Sequence, residues 1–145
     1  MAASFGGVIV LGAFVAPVIF HTDRIITELI IDHYNAGMIM GEIFHRFSYW
    51  IYALAFFVSV FEASQYKMGH RDTIVLVSAF IVVFTSLMFS AVYAPKILDM
   101  QALGIEATQS DTFQNTHMAS EIDFKILAVA LIVLFVRRLM LLRVR

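Results

Sequence analysis

The chain is predicted to be an all-α integral membrane four-helix bundle. Its two helix-pair units stand in pseudo-repeat, with interfacial helices on the outer side. Three observations carry that expectation. First, 61% of the residues are hydrophobic and only 14% charged, with a mean hydropathy of +0.85, where a soluble domain carries about 25% charged residues. Second, four apolar stretches approach the roughly 20 residues needed to cross a bilayer core. Third, Val15-Ala16-Pro17-Val18-Ile19-Phe20 recurs as Tyr93-Ala94-Pro95-Lys96-Ile97-Leu98, each copy closing an apolar run ahead of a polar connection. The 145 residues suit one membrane domain, with unit one over about 1–66 and unit two over about 72–145.

The first predicted span is Phe5 to Phe20. It has neither the basic start nor the small-x-small cleavage spacing of a signal peptide, so it reads as a retained span, from a start codon placed slightly late. After Pro17, residues 22 to 34 set Ile25, Ile26, Leu29 and Ile30 on one stripe, with Asp23, Thr27, Glu28 and Asp32 on the other side. That pattern predicts an amphipathic helix in the interface, with Asn35-Ala36-Gly37 as its C-cap. The second span runs from Phe44 to about Ala63 and the third from Thr73 to Ala94. After Pro95, Ile97 to Leu103 should stop at Gly104 and give way to a polar stretch, Glu106 to Asn115. The fourth span starts before Glu121 and contains the apolar run Ile126 to Val136. Arg137 and Arg138 then snorkel to the inner interface. Small residues every fourth position, Ala55-Ser59-Ala63 and Ser86-Ser90-Ala94, mark faces where helices approach closely. The fourteen Phe are read as lipid-facing or core filler.

Lys and Arg bias sets the orientation. Lys67 and Arg71, with Arg137, Arg138, Arg143 and Arg145, outnumber Arg24, Arg46, Lys96 and Lys125 on the other face. Both termini are therefore expected in the cytoplasm, with the chain multi-pass in the cell inner membrane and both Ala-Pro exits outside. Of the acidic residues, only Glu62 and Asp72 lie toward the inside. With no cysteine there is no disulfide or thiolate metal chemistry, and a net charge of −1 offers no basic surface for nucleic acid.

The residues that carry chemistry cluster toward the outer side. Glu42 and His45 share a helical face at i, i+3, and His117 and Glu121 do so at i, i+4 in the corresponding position of unit two. His21 follows the first Ala-Pro pair. His21, His45 and His117 with Glu42 and Glu121 are candidate ligands for zinc, iron, copper or haem. Met38, Met40, Met100 and Met118, on the same side, suit copper(I). The competing reading pairs Glu42 with Arg46 and Glu121 with Lys125 at i, i+4, as on any solvated helix. His33 and His70 read as solvated loop residues. Glu62, near the inner end of an apolar helix, is a candidate proton relay if it faces the bundle interior. Otherwise it meets Lys67 or Arg71 at the interface.

Gly12-Ala13-Phe14-Val15-Ala16-Pro17-Val18-Ile19-Phe20, then Gly37, Gly41 and Phe44, then Ala94-Pro95 and His117, resemble the transmembrane protein 205-like family. Bacterial members of that family are catalogued as a domain of unknown function. The resemblance covers nearly the whole chain and implies a small four-helix inner-membrane protein. Eukaryotic relatives are linked to tolerance of metal-containing drugs.

Three functions fit these readings. The first is a non-enzymatic helper or assembly subunit, with the lipid bilayer and a homo- or hetero-oligomer as its partners. The second is a metal- or haem-binding protein using the outer His and Glu residues. The third is a small oligomeric transporter or channel.

Overall fold

A chain this apolar has little water to satisfy its backbone, and a helix satisfies N–H and C=O groups internally. A computed structural model describes residues 1–24 and 32–143, and every regular element in them is helical. Three stretches are long and apolar enough to cross a membrane: α1 (Ala2–Phe20), α2 (His33–Lys67) and α3 (Thr73–Ala102). A single turn, α4 (Ile105–Thr108), leads to the 33-residue α5 (Asp111–Arg143). α5 is not among the three, because Glu121, Asp123 and Lys125 on one side and Arg137 and Arg138 on the other leave only 126–136 uncharged.

The first helix ends at Phe20, as the predicted span does, whereas the third runs past its expected end at Ala94 to Ala102; in both, the proline itself does not break the helix. Proline has no N–H and its ring crowds the carbonyl four residues back. The helix absorbs this by widening rather than ending. Val10–Val15 and Met88–Tyr93 are π-helical, with Ala16 N–H donating to the Leu11 carbonyl and Ala94 N–H to that of Phe89, five residues back. α-Helix then resumes with each proline in its first turn and runs on to Phe20 and Ala102.

α2 starts earlier than the second predicted span. The Asp32 carboxylate accepts from Asn35 N–H at 2.7 Å and caps the helix. Asn35, Ala36 and Gly37 therefore open α2 instead of closing an interfacial helix. Of that predicted helix, Thr22–Arg24 form a short 3-10 turn and residues 25–31 lie outside the described residues. Gly104 does end the α3 region as expected, at φ +102°, which a residue without Cβ adopts freely. The stretch from Glu106, expected to be a polar connection, is helical in α4 and again in the first turns of α5.

α3 packs between α2 and α5, and α1 lies against α5 and α2. Ile51, Leu54 and Val58 of α2, Val75 and Val82 of α3, and Leu127, Leu131 and Leu134 of α5 form the core. Phe56, Phe57, Phe80 and Phe84 point outward, as lipid-facing side chains should, whereas Phe44, Phe89 and Phe124 interlock at ring distances of 5.0 to 5.6 Å. Ser86, Ser90 and Ala94 are buried as predicted. On α2 only Ala55 is buried, while Ser59 and Ala63 are exposed.

Charged and polar contacts fix both ends. At the arginine end, Arg137 grips Asp72 with Nη2 at 2.6 Å and Nε at 3.2 Å, while Asp72 also caps α3 by accepting from Val75 N–H. Arg138 donates to Glu62 from Nε at 3.0 Å and again from Nη2. The two arginines tie α5 to α3 and α2. Glu62 meets neither Lys67 nor Arg71; Arg71 instead lies over the Tyr66 ring at 4.7 Å. At the proline end, the buried Gln101 side chain donates to the Gly37 carbonyl at 2.9 Å, and Tyr34 Oη donates to the Gln101 carbonyl at 3.0 Å. Gly41 makes room for Gln101: a Cβ there would collide with Oε1.

Candidate functional site

The predicted histidines and glutamates sit on the elements expected, mostly engaged with their own helix. His21 Nδ1 lies 3.0 Å from the Pro17 carbonyl. His45 has Nε2 3.5 Å from Tyr49 Oη and its ring edge-on to Tyr49. Glu42 accepts from Arg46 Nε at 2.7 Å, both side chains more than half exposed. Glu121 lies 3.4 Å from His117 Nε2 and 3.3 Å from Lys125 Nζ, and the His117 ring stacks on Phe113. Of the candidate ligands, His117 and Glu121 are brought together. Among the described residues, no group of three or more His, Asp or Glu side chains gathers as it would for a metal ion.

The structure gathers a different set. The buried stripe of α5 runs Thr116, Ser120, Asp123, Leu127, Leu131, Leu134, at successive steps of three or four residues. Its half toward the proline end is polar and its half toward the arginine end is aliphatic. α3 follows the same division with one exception: Val75, Ala79 and Val82 near the arginine end, with Ser78 among them bonded to its own helix, give way to Thr85, Ser86 and Ser90, then Gln101. Ser48 completes the polar half from α2, its carbonyl accepting from Ser90 Oγ at 3.4 Å. The interior is thus an apolar plug over buried ion pairs at one end and a hydroxyl-lined region around one carboxyl group at the other.

Most of these hydroxyls are satisfied locally. Ser120 donates to the His117 carbonyl at 2.7 Å, Thr116 to Thr112 at 2.8 Å, and Thr85 to Ile81 at 2.8 Å. Three buried side-chain atoms among the described residues have no partner: Ser86 Oγ, Gln101 Oε1 and Asp123 Oδ2. All three belong to the polar half. Asp123 was missed because Glu121 and Lys125 flank it and suggest a solvated turn. The signal was its spacing, four, eight and eleven residues ahead of Leu127, Leu131 and Leu134.

Outside this interior, α3 and α5 leave an open lateral groove of about 610 Å³, lined by residues that include Ile74, Val77, Ile81, Ile122, Ile126 and Val129. Lys125 and Thr73 stand among its few polar residues.

The signature of the family described as Domain of unknown function (DUF4149) matches residues 1–106, which takes in α1, α2, α3 and the start of α4. The chain belongs to the DUF4149 family. α5, with Asp123 and both arginines, lies beyond the matched part. No curated protein and no solved structure matches the chain. Family membership and three membrane-length helices make this a membrane protein of an uncharacterised family.

Proposed function

We propose that this DUF4149 protein is a non-enzymatic helper or assembly subunit of the cell inner membrane. In this reading α5 is the fourth span of a four-helix bundle, both termini are cytoplasmic and the proline end faces outward. The paired π turns at equivalent Ala-Pro sites support a two-unit repeat. The resemblance to the transmembrane protein 205-like family belongs to the same reading. The observation that carries the function is the groove between α3 and α5: aliphatic along its length and open sideways, it suits an apolar helix of another subunit.

The test is photo-crosslinking in native membranes from a reactive side chain at Val77 or Ile126, in the groove, against one at Phe56 on another face. The reading expects one discrete protein adduct from the groove positions alone. Lipid adducts from all three would overturn it. The runner-up, a metal or haem held by His21, His45 and His117 with Glu42 and Glu121, is tested on the same preparation. A Soret band or near-stoichiometric metal, lost in the His45→Ala, His117→Ala double variant, would favour it.

A further inference from the structure

We infer that Asp123 is a proton-binding site, open to the proline end of the helices and closed toward the arginine end. Asp123 is only 8% exposed, and its Oδ2 has neither donor nor counter-charge. An ionised carboxylate with a bare oxygen in such a place is strongly unfavourable, and a proton on that oxygen removes the charge. The neighbouring turn of α3 also has a bare atom. The tilted rings of Phe124 and Phe89 lie 5.0 Å apart, and Phe89 lies between Ser86 and Ser90, so Asp123 is level with that turn. Ser86 is fully buried and its Oγ is without a partner. Two unpartnered oxygens at one level supply few of the six or more oxygen ligands that calcium or magnesium takes. They suit a protonated carboxyl, which both donates and accepts.

The surroundings give the site one entrance. Ser120 and Thr116 stand three and seven residues before Asp123 on the same buried stripe and lead to the start of α5. In the other direction Leu127, Leu131 and Leu134 are fully buried, and beyond them Arg138 is held by Glu62. Uptake is then a simple exchange: hydronium from the proline side gives its proton to Oδ2 and leaves as water, and release reverses this. On α3 the residues level with it, Ser86, Phe89 and Ser90, carry no side chain that ionises. Lys96 and Asp99 on α3, Glu106 on α4, and Glu121 and Lys125 on α5 are exposed, and His45 on α2 is half-buried.

Dicyclohexylcarbodiimide tests this, because it reacts with protonated carboxyl groups in apolar surroundings. The full chain in mild detergent is treated across a pH series, and adducts are mapped by peptide mass. The expected result is an adduct at Asp123 that falls roughly tenfold per pH unit once the acid form is the minority, and that Asp123→Asn abolishes. Thr116→Val with Ser120→Ala should slow its formation several-fold. Mapping on the unaltered protein identifies the modified residue even if Asp123→Asn fails to fold. An unmodified Asp123 while exposed Glu42 or Glu121 reacts would overturn the inference. So would Asp123 labelling that does not change with pH.

Discussion

Arg138 and Glu62 meet across the interior, from α5 to α2, with Nε to Oε1 at 3.0 Å and both side chains largely buried. The next arginine along, Arg137, binds the N-cap of α3. Two consecutive residues of α5 thus hold α2 and α3 at one end.

Removing either member of the Glu62–Arg138 pair leaves a charge with no partner in the interior. Glu62→Ala or Arg138→Ala should each destabilise by about 3–5 kcal/mol, whereas Glu62→Leu with Arg138→Met should come near or above the parent. Unfolding by denaturing detergent from mild micelles measures this. Single losses below about 1 kcal/mol would mean the pair is solvated.

Asp72 gives a pH signature. Its hydrogen bond from Arg137, helped by Val75 N–H, holds the carboxyl below its ordinary value of 3.8. A carboxyl lowered in the folded state contributes stability that is fully present above its unfolded value and disappears as pH falls through the folded one. The stability gap between the parent and Asp72→Asn should therefore be constant at neutral pH and close only below about pH 4. A gap that narrows near pH 6 would implicate another group.

Gly37 and Gly41 face the same glutamine with different room to spare. A Cβ at Gly37 would sit in ordinary contact, 3.6 Å from Gln101 Nε2, while one at Gly41 would displace Oε1. Gly41→Ala should destabilise by about 1–3 kcal/mol. Gly37→Ala should be neutral or better, since alanine gains about 0.5–1 kcal/mol within a helix. Equal effects in the unfolding assay would refute this packing.

Core and lipid faces should also separate. Leu131→Ala opens a cavity among Val82, Leu127 and Leu134 and should lose about 2–5 kcal/mol. Phe80→Ala, on the outward face, should stay within about 0.5 kcal/mol. Comparable losses would mean that Phe80 is covered by another chain.

Local chemistry was readable in the sequence, and partners across helices were not. Glu42 with Arg46 and Glu121 with Lys125 follow from spacing along one helix, and both pairs are present. Gly104 announces its own positive φ. Asp32 and Asn35, by contrast, suit either a helix end or a helix start; the Asp32 cap opens α2 there, and that start is met by Gln101, 64 residues beyond Gly37. Glu62 lies near Lys67 and Arg71 in sequence but is served by a residue 76 positions away. Asp123 was hidden because an apolar stripe of only three leucines gives little warning that a charged neighbourhood turns one member inward.

The widened turn ahead of each proline changes how small residues should be counted along these helices. A residue every fourth position drifts by about 40° per step around a regular α-helix, which makes 3.6 residues per turn. Ala55, Ser59 and Ala63 lie in such a helix, and only the first stays buried. Val82, Ser86, Ser90 and Ala94 keep the same spacing, yet all four face inward. Their last steps cross Met88–Tyr93, where each turn takes in more residues. The proline thus sets the local gearing of the helix, and a four-residue rhythm that would spiral away elsewhere becomes a straight seam.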